Sequence, residues 1–481
     1  MGSTVDAKAT EAAPKSTDEA AGRPESSEEA GGAAADAPPT KKARPLPDAA
    51  LASTVAALRS HVTIPAVGKV VLARATPQLF APLLAPSGAA LLARALEEAR
   101  TVPTAERCLG MMVGMCVGDA VGAPLEFSAA TDAAGDGGMR WDAATNAYPR
   151  GEVNNFRLRR GQWTDDASMG LALADSLLAE GGFDGSDARV RWRAWWDHGY
   201  ANAFKYDAAR GSRRSVGLGG NIGRSLDAVR PGEVPPPAYA APREDAGNGS
   251  VMRLGAVPAR FFRAGDGAAL DAAARASSRA THPGPLAAEC CAFLAHACAA
   301  AARWDAAAAG FDAAEAPARF LAAVADGFAA DRYARRAGEP SHAAAMRLLL
   351  GGAADGAAHP KERCWAWRAA ELPILATLDA RGPRYNGYPN TAGYFGSFCM
   401  DAVAIALHSV HATTTFDAAV ERCVNFRGDC DSTAAVCGQL AGAIYGHGAI
   451  GAPLRAQLKT WDRDETALRA LLLWADGRPA P

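Results

Sequence analysis

Along most of this chain the apolar residues recur three and four positions apart, the spacing that lines one face of a helix, rather than on alternate positions as in a strand. From Glu106 onward, long Ala- and Leu-rich stretches are separated by Gly, Pro and Asp, and alternating Val, Ile and Thr are scarce. This predicts an all-α fold, a single orthogonal helical bundle. Helical spacing already begins at Ala49 and continues to about Arg100, broken at Pro65, Pro77, Pro82 and Pro86, where a ring without an N–H ends a helix. Residues 49–105 are therefore expected to form a helical extension and residues 106–481 the principal domain. Residues 299–382, with Pro317, Pro340, Pro360 and Pro373, predict short helices and loops without nameable chemistry.

Two segments carry glycine at every fourth position: Gly110, Gly114, Gly118 and Gly122 in one, and Gly438, Gly442 and Gly446 in the other. Each glycine inside a helix costs about 1 kcal/mol relative to alanine, so a ridge of them needs an offsetting gain. Close approach of two helix backbones supplies one. Residues 109–125 are apolar enough to suggest a membrane span, but Asp119 lies in their middle, and a charge at the bilayer centre costs about 2.5–3.5 kcal/mol. Gln439 and His447 weaken the second candidate in the same way. Two central bundle helices are expected, with no membrane partner.

Composition narrows the picture. The 481 residues are 49% hydrophobic and 21% charged, enough for a large core, and 50 Lys plus Arg balance 52 Asp plus Glu to a formal net charge of −2. No global basic field is available to recruit nucleic acid. Ten cysteines contain no CxxC pair, which favours reduced thiols and a cytoplasmic setting and disfavours a cysteine-ligated zinc. Residues 1–48 have no aromatic and one β-branched aliphatic, Val5, so a disordered tail is expected. The tail lacks an apolar signal core, its acids disfavour a transit peptide, and Asp6 breaks the myristoylation pattern. Lys41-Lys42-Ala43-Arg44 is a candidate nuclear address, although a solvated charge cluster is the plainer reading. A monomer is the default expectation.

The sharpest chemical signal is Gly161-Gln162-Trp163-Thr164-Asp165-Asp166, followed by an amphipathic run. Its plain reading is an N-cap with acids in the first helical turn. Its functional reading is a hydroxyl and two carboxylates presented together, a hard donor set suited to Mg, Mn or Ca. Arg427-Gly428-Asp429-Cys430-Asp431-Ser432-Thr433 repeats the same logic at the start of the second glycine-ridged helix. Four carboxylates meeting without cations repel one another and raise their own pKa values, whereas two metals about 3.5–4 Å apart neutralise them.

Three further segments are weaker. Gly118-Asp119 leads through Pro124 to Glu126, an acid in a loop free to reach into a site. Gly247-Asn248-Gly249-Ser250 enters a helix whose free N–H groups suit a phosphate, with an Asn-Gly turn as the plain alternative. Gly217-Leu218-Gly219-Gly220-Asn221-Ile222-Gly223 places its last glycine one residue late for a dinucleotide fingerprint, and no strand precedes it. The aromatic-rich loop with Tyr385, Tyr388, Tyr394, Phe395 and Phe398 could stack a base, or pack against the bundle.

These segments, in this order and together with Thr281-His282, resemble the ADP-ribosylglycohydrolase superfamily over about residues 106–455. The resemblance implies an all-α bundle around a binuclear Mg or Mn centre, in agreement with the helical pattern. It implies metal ligands at Thr164, Asp165, Asp166, Asp429, Asp431 and Ser432, the last standing where the family usually has Thr. Glu126 matches the family's mobile catalytic acid. Asn248, Gly249 and Ser250 match a loop on the ADP-ribose, Gly217 and Gly219 a loop beside its diphosphate, and His282 a position lining the cleft. Members acting on arginine-linked ADP-ribose often carry an acid where this chain has Gly217.

The implied activity is hydrolysis of the bond between ADP-ribose and a protein side chain, through an oxocarbenium-like state. Two metals would hold the ribose diol and a water, with Asp165 or Asp166 taking the water's proton and Glu126 orienting or gating the substrate. The implied partner is an ADP-ribosylated protein. A hydrolase of a free ADP-ribosyl or nucleotide-sugar small molecule, and a non-catalytic ADP-ribose-binding or crystallin-like protein, are the alternatives.

Overall fold

The two glycine ridges meet each other. In a computed structural model of the chain, Pro103–Gly122 and Cys430–Tyr445 are helices packed antiparallel, with Gly110 against Gly442, Gly114 against Gly438, Gly118 against Ala434 and Gly122 against Asp431. A Cβ on Gly438 would lie 2.6 Å from the carbonyl carbon of Gly114, and one on Gly122 would lie 2.5 Å from Asp431 Cα. No side chain fits between these backbones, which is the gain that offsets the helical cost of glycine. Because the pair is antiparallel, the C-terminal end of the first helix and the N-terminal end of the second lie together, and each carries acidic residues.

The structure describes residues 47–67, 77–132, 138–241, 246–305, 312, 314–333, 338, 340–351, 358–386, 388–389 and 393–477. Among them the helices are α1 (Pro47–Arg59), α2 (Ala89–Ala99), α3 (Pro103–Gly122), α4 (Asp165–Glu180), α5 (Gly185–His198), α6 (Gly220–Asp227), α7 (Ala256–Arg260), α8 (Gly267–Arg279) and α9 (Pro285–Arg303). They continue as α10 (Ala316–Arg332), α11 (Ser341–Gly351), α12 (Ile374–Arg381), α13 (Cys399–His411), α14 (Phe416–Val424), α15 (Cys430–Tyr445), α16 (Ala452–Asp462) and α17 (Glu465–Asp476). The strands among these residues are the two-residue β1 (Arg384–Tyr385) and β2 (Tyr388–Pro389), paired antiparallel with Tyr385 opposite Tyr388. The fold is all-α, as the periodicity predicted.

The α3–α15 pair is the axis of the core, with α17, α9, α13, α14 and α4 packed around it. α3 and α9 are long and apolar enough to cross a membrane; α3's apolar stretch is wholly buried inside the protein and α9's mostly so. All ten cysteines are unpaired and buried. α4 is fastened to α17 by a buried bidentate pair, Arg469 Nε to Asp175 Oδ1 at 2.8 Å and Nη2 to Oδ2 at 2.9 Å.

Within 49–105, α1 and α2 pack on each other and on α17. The backbone between them satisfies buried charges of the bundle: Leu83 N–H donates to Glu465 Oε1 at 3.1 Å, and the Pro65 carbonyl accepts from Arg191 at 3.3 Å. This segment belongs to the same compact unit, Pro45–Pro481, as the remaining helices. The expected tail and the Lys41–Arg44 cluster lie outside the described residues, except that α1 begins at Pro47.

Candidate metal centre and substrate cleft

Thr164 occupies the N-cap position of α4 and Asp429 that of α15, yet neither side chain caps its helix. At α4 the capping acceptor is Asp119 of α3. Its Oδ1 accepts from Thr164 N and Thr164 Oγ1, both at 2.9 Å, and its Oδ2 accepts from Ala167 N at 2.9 Å. Asp119 thereby supplies the capping that the Thr-Asp-Asp motif alone appeared to provide, and the motif's own carboxylates are left for other work.

Those carboxylates converge. One oxygen from each of Asp119, Asp166 and Asp431 lies within 4.8 Å of the others, and the same holds for Glu126, Asp429 and Asp431. Asp431 is common to both groups and links them. Thr164 Oγ1 also lies 3.1 Å from Asp166 Oδ2 and 3.5 Å from Asp431 Oδ2. Asn248 Nδ2 donates to Asp429 Oδ2 at 3.0 Å, and Tyr394 donates its hydroxyl to Glu126 Oε1 at 3.3 Å. Asp166 Oδ1 and Glu126 Oε2 are buried without a hydrogen-bond partner.

All six acids here are buried. Burial is the largest influence on each and pushes its pKa up: Asp119 to about 6, Glu126 to about 8 with the Asp429 charge adding, and Asp165, Asp166 and Asp431 well above the usual carboxylate range. Asp429 is raised as well, again by burial. So dense a set of buried carboxylates is stable only when protonated or bound to cations.

Four of these acids face a cleft of about 350 Å³. Glu126, Asp165, Asp429, Asp431 and Ser432 line it, and so do Gly217, Gly219, Asn248, Gly249 and His282. Gly217 sits at φ +92°, and a Cβ there would lie 3.0 Å from Asp165 Cγ, so this position passes close to that acid only as glycine. A Cβ on Gly249 would lie 2.8 Å from Ile222 and 3.0 Å from His282 Cε1. The His282 ring is fixed by Thr281 Oγ1 at 2.8 Å from Nδ1, and that hydroxyl accepts from Arg253 Nη2 at 2.6 Å. With the arginine donating, the hydroxyl proton is left for Nδ1. Arg253 lies wholly buried over the Trp192 ring, and burial lowers its pKa to about 9.

Three placements differ from a plain reading of the motifs. Ser250 does not face the cleft; its hydroxyl pairs with Ser278 Oγ at 2.9 Å inside the bundle, because the short helical turn Asn248–Ser250 turns it away from the Asn248 side. Asp165 stands outside both carboxylate groups, on the cleft wall beside Gly217, while Thr164 and Asp166 lie behind that wall. Asp119, not expected as a site residue, belongs to one of the groups. Its signal in the sequence was a lone acid on the glycine face of an otherwise apolar helix.

The cleft lining also includes Arg381 and Asp401, a buried bidentate pair at 2.6 and 2.9 Å. The Arg381 guanidinium stacks 3.8 Å from the centroid of Tyr385, and Tyr385 meets Phe398 edge-on at 5.8 Å. Tyr394, from the same loop, instead stacks on Phe127 at 5.8 Å beside Glu126. The side chain of Tyr388 lies outside the described residues.

A family profile described as ADP-ribosylglycohydrolase matches residues 100–479. ADP-ribosylarginine hydrolase Tri1 of Pseudomonas putida (strain GB-1) is 27% identical over 360 residues, 71% of this chain and 71% of its own length. The ADP-ribosyl-dinitrogen reductase glycohydrolase of Rhodospirillum rubrum is 26% identical over 341 residues, 71% of this chain and 86% of its own. A solved structure described as an ADP-ribosylglycohydrolase-related protein complex shares 25% identity at a TM-score of 0.47, covering 78% of this chain and 99% of its own. The profile takes in both carboxylate groups and every cleft residue named above, and on that match the chain belongs to the ADP-ribosylglycohydrolase family.

Proposed function

We propose that the protein is a cation-dependent hydrolase that frees ADP-ribose from protein side chains. The observation that carries this reading is the pair of carboxylate groups joined by Asp431 beside the cleft. The names of the relatives, which refer to ADP-ribosylarginine and to ADP-ribosylated dinitrogen reductase, support a protein-linked substrate.

The residues fit hard divalent cations. Both groups offer carboxylate oxygen alone, with no Cys or His, and the unpartnered Asp166 Oδ1 and Glu126 Oε2 are oxygens that a cation would satisfy. Asp119, Asp166 and Asp431 would hold one ion and Glu126, Asp429 and Asp431 a second, with Thr164 beside the first. Bound Mg or Mn supplies charge neutralisation for the carboxylates and Lewis acidity toward the ribose hydroxyls and a water.

We assign Asp165 as the acceptor of the attacking water's proton, because it lines the cleft and Asp166 does not. The water oxygen bonds to the distal ribose C1'' as the bond to the acceptor breaks; that bond's electron pair leaves with the acceptor atom, which takes up the proton that Asp165 received from the water. Glu126, oriented by Tyr394, faces the same cleft. Asn248 spends its side-chain amide on Asp429 and the Gly396 carbonyl, so its part is to hold a ligand in place. Gly217 and Gly249 let backbone approach the substrate where a side chain would collide.

The test is release of ADP-ribose from Arg-linked peptide, Ser-linked peptide and a free ADP-ribosyl small molecule, each in Mg, in Mn and in chelator. Cation-dependent release from a peptide is the expected result. Release confined to the small molecule, or indifferent to chelator, would overturn the reading.

A further inference from the structure

We propose that the rim of the cleft beside its acids, built by Phe127, Phe156, Arg157, Arg213 and Arg214, docks the acceptor protein through an acidic segment flanking the ADP-ribosylated side chain. The inference rests on the reading just given and names the class of substrate protein it selects.

Charge is the first observation. Residues 150–160 and 205–214 hold eight Lys and Arg and two acids, a net of +6, in a chain whose total is −2, so the remaining residues sum to −8. Three of these cations form salt bridges with described carboxylates: Arg159 with Asp207, Arg160 with Glu152 and Lys205 with Glu465. Arg157, Arg213 and Arg214 are exposed and pair with no carboxylate among the described residues.

Position is the second. Arg210 donates to the carbonyls of Phe156 at 3.2 Å, Arg157 at 3.3 Å and Ser212 at 3.1 Å, so one guanidinium clamps the two basic loops side by side. Arg214 lies three residues before Gly217, which packs on Asp165. From the other side Phe127, directly after Glu126, is 50% exposed and meets Phe156 edge-on at 6.0 Å. Aromatic and basic groups therefore share the margin next to Glu126 and Asp165.

The chemistry of the reaction fixes what faces this margin. If the distal ribose places C1'' beside the acids, the acceptor atom and the chain carrying it extend past Glu126, while the rest of the ADP-ribose lies within the cleft. Three unpaired guanidiniums beside an apolar ring suit a polypeptide with Asp or Glu near the modified residue.

The experiment uses the full chain with Mg and two peptides sharing one modified residue, one flanked by Asp and Glu and the other by Lys and Gly. The comparison substrate is a small ADP-ribosyl conjugate with no peptide. The wild type is expected to favour the acidic flank in kcat/KM by about tenfold at low ionic strength, and the preference should shrink in salt. The triple charge reversal Arg157→Glu, Arg213→Glu, Arg214→Glu should abolish the preference and leave the small conjugate within about twofold of wild type. Equal cleavage of both peptides by the wild type would overturn the proposal. So would a reversal that slows the small conjugate as much as the peptide, which would assign the rim to the diphosphate. Fluorescence anisotropy of the unmodified peptides reads docking independently of cleavage. An inactive protein that still binds the acidic peptide about tenfold tighter would sink the hydrolase reading and keep the rim; equal binding would sink the rim.

Discussion

The closeness of α3 and α15 makes Gly114→Ala a demanding test of how the site is positioned. The new Cβ would lie 2.9 Å from the Gly438 carbonyl carbon and 3.0 Å from the Phe416 ring, with the Gly438 oxygen nearer still. Ordinary carbon–carbon contact is about 3.5–4.0 Å, so the two backbones must separate by about 1 Å. The neighbour that must move is another helix's backbone, which cannot rotate aside. Overpacking of this kind costs about 1–3 kcal/mol, and alanine's helical advantage returns about 1 kcal/mol of it. A net loss of up to about 2 kcal/mol is expected, a fall in Tm of up to about 2 °C, because an unfolding entropy of about 2 cal/mol/K per residue gives a unit spanning Pro45–Pro481 about 1 °C per kcal/mol. Because α3 carries Asp119 and leads to Glu126 while α15 carries Asp431, a shift of that size should also lower kcat/KM by about 10²-fold. Gly327→Ala in α10 is the matched control, since a Cβ there meets nothing within 4 Å, and it should stabilise by about 1 kcal/mol. The assay is thermal and urea unfolding of both variants, with hydrolysis measured alongside. If Gly114→Ala proved as benign as Gly327→Ala, the argument that the ridges set the helix spacing would be refuted.

Other consequences follow from the same geometry. Asp119 at about 6 and Glu126 at about 8 both titrate above their unfolded values, so the cation-free protein holds extra protons when folded. The stability this confers is present at low pH and lost as pH rises through about 6 and then about 8. Differential scanning calorimetry in chelator should show Tm falling from about pH 5 to pH 8.5, and Mg should flatten the slope as it displaces those protons; a Tm indifferent to both pH and Mg contradicts this. Gly217→Ala forces a left-handed backbone on a residue with a Cβ against Asp165, and should cost about 1–2 kcal/mol in urea unfolding with a larger, about 10²-fold, loss of turnover. Asp401→Asn strands the buried Arg381 cation and should destabilise by about 3 kcal/mol, with a raised KM from the loosened Tyr385; a change below about 1 kcal/mol would remove that pair from the account.

How far the sequence revealed this molecule depended on whether a feature was local. Helical periodicity and the two glycine ridges are repeating patterns, and they foretold both the class of fold and its central pair. The Thr164–Asp166 and Asp429–Ser432 motifs were legible because their acids sit within three residues of one another. What escaped depended on register between distant segments. Asp119 looks in the sequence like one misplaced charge in an apolar helix, and only the approach of α4 to α3 turns it into a cap and a member of a carboxylate group. Ser250 shares a motif with Asn248 but faces the other way, a rotation that a loop sequence does not encode plainly. Arg381 and Asp401 are separated by the loop that contains β1 and β2, so no periodicity links them.

The central claim is that cations held by both carboxylate groups make this site a hydrolase, and Asp431 is the residue the groups share. The most direct measurement strips the protein with chelator, titrates Mn back into wild type and Asp431→Asn by calorimetry, and follows ADP-ribose release from a modified peptide in the same samples. The account predicts that Mn restores release in the wild type, and that Asp431→Asn loses both tight Mn binding and turnover by about 10²-fold while remaining folded. Release that survives chelator in the wild type, or an Asp431→Asn enzyme that keeps cation-dependent turnover within a few-fold, would contradict it.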